Sequence, residues 1–229
     1  DGHKTSPQWL ARGGMGLLAA LLSACTSLPP VAVNTEVKTT PTPTQSSPAV
    51  EVPLVRRPVH LGLALGGGAA RGFAHVGVIQ VLEEAGLKPS HVVGTSAGSL
   101  VAALYASGKS VPELRKAAET MEEAEITDWM VPLLNRGALR GEALAKYVNA
   151  QVGGRNLESM KIPLGIVATD LRSGEAITFR RGNTGSAVRA SSAVPAVFQP
   201  VRIGDREYVD GGLVAPVPVH QAREMGANF

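Results

Sequence analysis

Bulky apolar residues alternate with small or polar residues from Val59 to Leu65. Because successive side chains of a strand point to opposite faces, this period of two predicts a β-strand. After a glycine-rich turn, apolar residues recur at helical spacing from Phe73 to Ala85, and Gly86 follows as a C-terminal cap. A strand followed by an amphipathic helix is the usual beginning of an α/β unit.

The same succession of strands and helices continues along the chain. An apolar strand at 91–93 precedes a second glycine-rich turn, and the next segment, 99–106, is apolar on nearly every side, which indicates a buried helix. Ser110 and Glu113 have the spacing of a capping box at the start of a helix that reaches Met121. The remaining predicted elements are helices at 141–151 and 186–193 and strands at 163–169, 175–180, 201–203 and 207–209. This alternation predicts an α/β fold with helices on both faces of the sheet.

Composition supports one globular domain and excludes several classes of protein. The chain has 229 residues, of which 44% are hydrophobic and 18% charged, so it is not wholly disordered. A single cysteine, Cys25, excludes a disulfide scaffold. The net charge of +3 is small and scattered, so nucleic acid is not an expected partner. No cluster of histidines, cysteines and carboxylates has metal-ligand spacing, and no metal is expected.

The N-terminal segment has the composition of a targeting sequence. Residues 1–24 contain a basic region and then an apolar run too short to span a bilayer, which predicts a signal peptide. The sequence LSAC, ending at Cys25, resembles the lipobox of bacterial lipoproteins, and the resemblance implies acylation of Cys25. Thr26, in place of Asp, implies sorting to the outer membrane, on the side facing the periplasm. The alternatives are a secretory signal with an incidental cysteine and a small apolar N-terminal helix.

Residues 25–58 are expected to hold the acylated cysteine and a disordered tether. The 33 residues from 26 to 58 include seven of the sixteen prolines and six threonines, and no aromatic residue. Such a segment cannot bury enough apolar area to offset the conformational entropy lost on ordering. The folded domain is therefore expected at 59–229.

The turn at 94–98 has the pattern G-x-S-x-G, with Ser96 between Gly94 and Gly98. It follows a predicted strand and precedes a predicted buried helix, which is the setting of a nucleophile elbow. Such a turn exposes the serine oxygen, and the helix N-terminus directs free N–H groups at the site. We therefore predict that Ser96 is a nucleophile.

The turn at 66–72, GGGAARG, has two interpretations. A dinucleotide fingerprint also follows a strand and opens a helix, but Arg71 occupies the place of its third glycine, and the second strand does not end in the acidic residue that would bind a ribose. The favoured interpretation is an oxyanion hole, with Arg71 adding charge or fixing the loop, and no nucleotide is expected to bind. The glycines that would bring N–H groups to an anionic intermediate are Gly66, Gly67 and Gly68.

Five sequence blocks occur in the order typical of one family. They are GGGAARGFAHVGVIQVLEEAG, VVGTSAGSLVAALYASG, IVATDLRSGE, AVRASSAVPAVFQPV and YVDGGLVAPVPV. From Val59 onward the chain therefore resembles bacterial patatin-like phospholipases. The resemblance implies a three-layer α/β/α sandwich with a mostly parallel central sheet and a nucleophile elbow. It also implies that the chain stops where the family's next strand would begin.

The resemblance implies a catalytic pair of a serine and an aspartate. It assigns the nucleophile to Ser96 and the base to Asp210 of the D-G-G motif, which continues with Gly211 and Gly212. We expect partial burial of Asp210 at an apolar strand end to raise its pKa and so improve its basicity. From the residues alone, Asp210 could equally be an ordinary turn residue, and Asp170, which also ends a predicted strand, is a rival base.

A Ser-His-Asp triad would need one of the five histidines. His220 follows Asp210, as in an α/β-hydrolase, but it lies at a predicted helix start and is expected on the helix surface. His75, on the helix after the glycine loop, is expected to pack or to form a hydrogen bond. Trp129 and Met130 are expected to pack, with an acyl-binding wall as the alternative.

The expected function is hydrolysis of fatty-acyl esters, such as those of phospholipids and lysophospholipids, through an acyl-enzyme on Ser96. No cofactor is expected. A Ser-His-Asp esterase is the rival enzyme. A non-catalytic lipoprotein that uses the same fold to bind lipid or a partner is the rival from another class.

We expect Cys25→Ser to prevent acylation and either to release the domain from the membrane or to leave its precursor uncleaved. A single acyl chain binds a bilayer only marginally, so firm anchoring depends on the several chains that a lipoprotein cysteine carries. Metabolic labelling with a fatty acid and membrane fractionation measure this outcome. Membrane retention of a normally cleaved Cys25→Ser protein would contradict the lipobox interpretation.

Overall fold

The computed structural model describes residues 58–130 and 139–229, with the side chains of these ranges except at 122–130. The predictions for 1–24, for Cys25 and for the tether before Pro58 lie outside the described residues. The strands are β1 (Gly62–Leu65), β2 (His91–Thr95), β3 (Leu164–Asp170), β4 (Ala176–Phe179), β5 (Val201–Ile203) and β6 (Arg206–Asp210). The helices are α1 (Ala74–Glu84), α2 (Ala97–Ala106), α3 (Val111–Met130), α4 (Glu142–Gln151), α5 (Thr184–Ser191) and α6 (Val219–Glu224). Short 3-10 helices lie at Ala69–Phe73, Leu157–Ser159 and Gly211–Leu213.

The six strands form one sheet in the order β1-β2-β3-β6-β5, and β4 also pairs with β3. β1, β2 and β3 run parallel, as buried strands joined through helices do. β4 and β6 are antiparallel to β3, and β5 is antiparallel to β6. The segment at 175–180 is thus the hairpin partner that its alternating pattern predicts.

β2 and β6 pair with the same edge of β3, one after the other. Thr95 at the end of β2 is the partner of Val167, and Asp210 at the end of β6 is the partner of Ala168. β4 occupies the opposite edge, because it pairs with both Val167 and Ala168. Since β2 and β6 run in opposite directions, their C-terminal ends meet. Ser96, the residue after β2, is therefore brought beside Asp210, although 114 positions separate them in sequence.

Alternate residues of the buried strands face two helical layers. Val92 and Ile166 belong to the core that α1 to α4 share, whereas their neighbours Val93 and Val167 pack with Ala222 of α6. α2 lies centrally in the first layer, and nine of its ten residues are buried, in agreement with its apolar sequence. The predicted three-layer α/β/α arrangement is confirmed.

Helix starts follow their capping residues. Glu113 accepts hydrogen bonds from the N–H and the Oγ–H of Ser110, which is the glutamate half of the expected capping box of α3. The helix expected at 186–193 begins earlier, at Thr184. The reason is that Asn183 Oδ1 accepts a hydrogen bond from Ser186 N–H at 2.8 Å and caps the N-terminus.

The first strand begins at Gly62, later than the alternation from Val59 predicts. The backbone before it bonds elsewhere: the carbonyl of Leu61 accepts from Ser90 N–H, and that of His60 accepts from Asn228 N–H. Within 58–130 and 139–229, no helix combines the length and the apolar character needed to cross a bilayer.

Gly98→Ala and Gly77→Ala are matched substitutions in two helices. A Cβ atom at Gly98 of α2 would collide with the carbonyl oxygens of Leu65 and Gly66, whereas nothing lies within 4 Å of one at Gly77 of α1. Alanine is favoured over glycine in a helix, so Gly77→Ala should raise the free energy of unfolding by about 0.5–1 kcal/mol. Gly98→Ala should lower it by about 1–3 kcal/mol, because the backbone must move to relieve the overlap. Urea unfolding measures both, and equal effects would show that the approach of α2 to β1 imposes no constraint.

Candidate active site

Ser96 is the single residue between β2 and α2. Its backbone has φ 51° and ψ −125°, a conformation that residues with a side chain rarely adopt. Gly94 and Gly98 make the sharp turn possible, since a Cβ atom at Gly94 would lie 2.5 Å from the carbonyl oxygen of Gly98. The chain therefore forms the strand–turn–helix geometry that the G-x-S-x-G pattern predicts.

Backbone strain concentrates around one cavity. In the described ranges three residues other than glycine have positive φ: Ala69 (51°), Ser96 (51°) and Ala196 (68°). Ala69 and Ser96 line the cavity, and Ala196 follows the lining residue Pro195. Strained residues of this kind cost about 1–3 kcal/mol each and cluster at functional sites. Their distribution marks this cavity as the candidate site.

Asp210 ends β6 and faces Ser96. Ser96 Oγ donates a hydrogen bond of 2.7 Å to Asp210 Oδ2, and Gly212 N–H donates one of 2.6 Å to Oδ1. Both glycines after the aspartate are needed: a Cβ atom at Gly211 would collide with the Val167 carbonyl, and one at Gly212 would lie 2.9 Å from Asp210 Oδ1. Each carboxylate oxygen thus has one donor, and one of these donors is the Ser96 hydroxyl.

Burial raises the pKa of the Asp210 carboxyl. Only 6% of the residue is exposed, and no ion pair to it occurs among the described residues. The hydrogen bonds from Ser96 and Gly212 act in the opposite direction, but the loss of solvent has the larger effect on this pKa. The direction agrees with the sequence-based expectation, and it makes the carboxylate a better proton acceptor.

Ser191 holds the backbone of Ser96 in place, a role that the sequence did not reveal. Its buried hydroxyl accepts a hydrogen bond of 2.8 Å from Ser96 N–H and donates one of 2.5 Å to the Val167 carbonyl. One side chain thus links α5, the turn and β3. Its only sequence signal is its place in the block AVRASSAVPAVFQPV, which shows the residue but not its partners.

The glycine loop offers fewer free N–H groups than three successive glycines suggest. Gly67 lies beside Ser96, since a Cβ atom there would be 3.2 Å from Ser96 Cβ, but its N–H donates to the Pro216 carbonyl at 2.9 Å. Gly66 is buried and does not line the cavity. In this arrangement Gly66 is covered and the N–H of Gly67 is occupied, and the use of these two residues as oxyanion donors stays a prediction.

Two side chains contact the backbone carbonyls of the glycine loop. His75 Nε2 donates a hydrogen bond of 2.8 Å to the Gly66 carbonyl, which is the hydrogen-bonding role expected for this histidine. Arg71 Nε makes a longer contact of 3.4 Å with the Gly68 carbonyl, and the Arg71 side chain is exposed at the cavity. The two roles expected for Arg71, adding charge and fixing the loop, stay predictions.

Several N–H groups at the cavity remain available to an anion, among them those of Gly68 and Ala97. Gly68 N–H and Ala97 N–H have no hydrogen-bond acceptor among the described residues, and both residues line the cavity. Ala97 is the first residue of α2, so the positive end of the helix dipole adds to its N–H. The arrangement can stabilise negative charge that develops next to Ser96 Oγ.

The cavity at Ser96 and Asp210 has a volume of about 810 Å³. It opens between the glycine loop, the ends of β2 and β6, and helices α2, α3 and α4. Its large apolar lining residues include Phe73, Leu100, Val101, Met121, Leu144 and Leu213. A mainly apolar cavity of this size with a few convergent polar groups is typical of a binding site for an apolar small molecule.

The model of the patatin-like phospholipase family matches residues 63–223, which is most of the chain. The chain belongs to the patatin-like phospholipase family. Its patatin-like domain is 38% identical over 170 residues to an uncharacterized NTE family protein of Mycobacterium tuberculosis, over 74% of this chain and 47% of that protein. It is 30% identical over 175 residues to patatin-like phospholipase domain-containing protein 6 of Mus musculus, over 73% of this chain and 13% of that protein. The chain thus spans about half or less of the length of these curated relatives.

Among solved structures, the patatin-like domain is similar to VipD from Legionella pneumophila, with a TM-score of 0.52. The two share 18% sequence identity over 68% of this chain and 46% of that chain. At this identity the likeness concerns the fold alone, and it supports the α/β arrangement described above.

In the patatin-like domain, the rival base Asp170 has other partners. Its Oδ2 pairs with Arg206 Nη1 at 2.8 Å, and its Oδ1 accepts hydrogen bonds from the N–H groups of Arg172 and Ser173. Its side chain is buried among these donors. Asp170 therefore holds the loop after β3, and Ser96 bonds to Asp210 instead.

The described histidines also lie away from the Ser96–Asp210 contact. His91 Nε2 donates to the Ala222 carbonyl at 2.9 Å, and the exposed His220 on α6 pairs with Glu224 at 3.2 Å. The side chains of Trp129 and Met130 fall outside the described set. In the part of the chain that the structure describes, no group of His, Cys, Asp and Glu side chains could hold a metal ion.

Asp210→Asn and Asp170→Asn should change stability in opposite directions. Burial raises the pKa of Asp210, so its ionisation costs folding free energy at neutral pH, and the native state regains stability as pH falls through the raised pKa. The hydrogen bond from the Arg206 side chain, with two backbone N–H donors, lowers the pKa of Asp170. The Asp170 charge therefore stabilises the native state above its ordinary pKa, and this contribution is lost as pH falls through the lowered pKa.

At pH 7, Asp210→Asn should unfold at an equal or higher urea concentration than the unsubstituted protein, and Asp170→Asn at a lower one. Both differences should shrink in acid. Urea titrations across this pH range, with circular dichroism as the signal, measure them. An Asp210→Asn protein that is clearly less stable at pH 7 would contradict the assigned cost of burying this charge.

Proposed function

We propose that this chain is a serine lipid acyl hydrolase of the phospholipase A or lysophospholipase type that acts through a Ser96–Asp210 dyad. The observation that carries the proposal is the hydrogen bond of 2.7 Å from Ser96 Oγ to Asp210 Oδ2 beside a mainly apolar cavity. Membership of the patatin-like phospholipase family supports a lipid acyl ester as the substrate.

In the first half of the reaction, Ser96 Oγ attacks the ester carbonyl carbon and its proton passes to Asp210 Oδ2. The N–H groups of Gly68 and Ala97 stabilise the oxyanion of the tetrahedral intermediate, with the α2 dipole behind them. The intermediate collapses, the bond between the carbonyl carbon and the leaving oxygen breaks, and Asp210 returns the proton to the leaving alkoxide. The acyl group is then an ester of Ser96.

In the second half, water takes the place of the leaving alcohol. Asp210 accepts a proton from this water as its oxygen attacks the acyl carbon, and the same N–H groups stabilise the second oxyanion. Collapse releases the fatty acid, and the proton on Asp210 returns to Ser96 Oγ. The raised pKa of Asp210 suits both proton transfers, because the carboxylate accepts and then returns a proton in each half.

The apolar lining of the cavity favours a substrate with a long acyl chain. Leu100 and Val101 of α2, Met121 of α3 and Leu144 of α4 line it next to Ser96. Burial of apolar surface contributes roughly 25 cal/mol per Å², so a fatty-acyl chain binds there more tightly than a short one. Phospholipids and lysophospholipids supply such chains.

The N-terminal sequence supports a location in the cell envelope. A signal peptide at 1–24 and acylation of Cys25 would anchor the protein at the outer membrane, facing the periplasm, and the segment 25–58 would tether the domain. The acylated cysteine would then hold the domain at the same membrane that contains the substrate.

Ser96→Ala and Asp210→Asn should each lower kcat on a fatty-acyl ester by on the order of 1,000-fold or more, because each removes one half of a unit that acts together. His220→Ala and His91→Ala, as matched controls, should keep most of the activity. Steady-state rates with a p-nitrophenyl acyl ester, and with a phospholipid and a lysophospholipid, measure this. A folded His220→Ala protein as inactive as Ser96→Ala would establish the Ser-His-Asp enzyme instead.

The pH dependence of kcat/KM gives a second criterion. Activity requires ionised Asp210, so the rate should fall as pH decreases through the raised pKa of this carboxyl, and the acid limb should be the same in His220→Ala. An acid limb that disappears in His220→Ala would contradict the dyad. An inactive wild-type protein that still binds lipid would establish the non-catalytic lipoprotein.

A further inference from the structure

Two loops at the opening of the cavity lack charged residues. The mouth loops, residues 192–200 and 211–219, contain no Asp, Glu, Lys or Arg, although charged residues make up 18% of the chain. The first loop reaches the cavity through Val194 and the second through Leu213. A hydrogen bond of 2.9 Å from Asp210 N–H to the Ala193 carbonyl joins the first loop to the strand end from which the second loop starts.

The mouth loops expose large apolar side chains to solvent. Half of the exposed large apolar residues in the described ranges belong to them, each between 40% and 60% exposed: Val194, Val197, Leu213, Val214, Val217 and Val219. Single exposed apolar residues are ordinary on a protein surface, but a group of this size around a cavity marks an interaction site.

The backbone of the first loop holds its side chains in this orientation. The Val197 carbonyl accepts a hydrogen bond of 2.8 Å from Leu139 N–H, and the Leu139 carbonyl accepts one of 2.9 Å from Gln199 N–H. Phe198, between these two positions, is buried, so Val197 faces outward. Ala196, with φ 68°, adopts a strained conformation in the same loop. The outward apolar side chains are therefore built into the fold.

Cations flank this apolar surface. Arg140 is exposed next to Leu139, and Arg71 is exposed where it lines the cavity. Neither forms an ion pair with a described residue. Apolar side chains bordered by arginines match the surface of an anionic bilayer, where the former enter the acyl region and the latter reach the phosphates.

We propose that the mouth loops dock the domain onto an anionic phospholipid bilayer. The surface is continuous with the cavity lining, so docking sets the cavity opening against the lipid, and an acyl chain passes from the bilayer to Ser96 without entering water. The proposal rests on the proposed function for the identity of the substrate. The docking itself can be tested without turnover.

The chain has one cysteine, so Cys25→Ser gives a background for single fluorescent labels. In the 229-residue Cys25→Ser, Ser96→Ala protein, Val197→Cys and Val214→Cys place an environment-sensitive dye on the mouth loops, and Val78→Cys and Val81→Cys place it on α1. The α1 valines are exposed at 49% and 63%, against 46% and 40% for Val197 and Val214, so they are matched controls. The N-terminal segment is common to all four proteins.

With vesicles of phosphatidylcholine and phosphatidylglycerol, the dye at 197 and 214 should brighten severalfold and shift to shorter wavelength, while the dye at 78 and 81 should change little. Salt should weaken the response, since it screens the arginines. An equal response at all four positions, or none at the mouth loops, would overturn the proposal. A response that follows protein concentration without lipid would show instead that a second copy covers this surface.

A kinetic experiment separates docking from catalysis. In the Cys25→Ser protein with Ser96 intact, Val197→Ser with Val214→Ser should lower the rate on vesicle phospholipid severalfold and leave the rate on a short, monomeric ester unchanged. Neither residue lines the cavity. Val78→Ser with Val81→Ser should change neither rate, and an equal loss in this control would overturn the proposal. If the wild type hydrolyses no ester, the proposed function fails, and the label experiment still decides the docking.

Discussion

The strands β2 and β6 both end against the same edge of β3, and the geometry of the candidate site depends on this arrangement. β2 arrives parallel and ends opposite Val167, and β6 arrives antiparallel and ends opposite Ala168. Adjacent residues of one buried strand therefore set the distance between Ser96 and Asp210. Ser191 adds a third connection, because its hydroxyl bonds to both Ser96 N–H and the Val167 carbonyl. The hydrogen bond between the two side chains follows from this backbone framework.

The two aspartates that end β3 and β6 show how their surroundings separate a reactive carboxylate from a structural one. Asp170 has an arginine and two backbone N–H donors, and its charge is stabilised. Asp210 has one backbone N–H and the Ser96 hydroxyl, and burial is not compensated by a cation among the described residues. In the second environment the ionised form is disfavoured, and the carboxylate is suited to proton transfer. Such a trade between stability and activity is common at catalytic sites.

The fold could be predicted from the sequence where local pattern determines structure. The hairpin strand β4, the apolar α2 and the turn at Ser96 all depend on neighbouring residues, and each lies where expected, whereas β1 begins at Gly62 and not at Val59. Asp210 was different, because an Asp-Gly-Gly sequence also fits an ordinary turn, and only the pairing of β6 with β3 brings it to Ser96. The hydrogen bond from Gly67 to Pro216 and the role of Ser191 join segments far apart in the chain. No local periodicity carries such information, so the glycine loop appeared more open in the sequence than it is in the structure.

The contact between Ser96 and Asp210 and the walls of the cavity belong to different layers of the molecule. The sheet aligns the two polar side chains, whereas Leu100, Met121 and Leu144 come from helices and Leu213 comes from a loop. A substitution in the walls can alter the shape offered to a ligand while the strand ends stay in register. Residues of the cavity wall can therefore change, and ligand preference with them, while the Ser96–Asp210 pair stays the same. Proteins that share this sheet can differ in specificity for this reason.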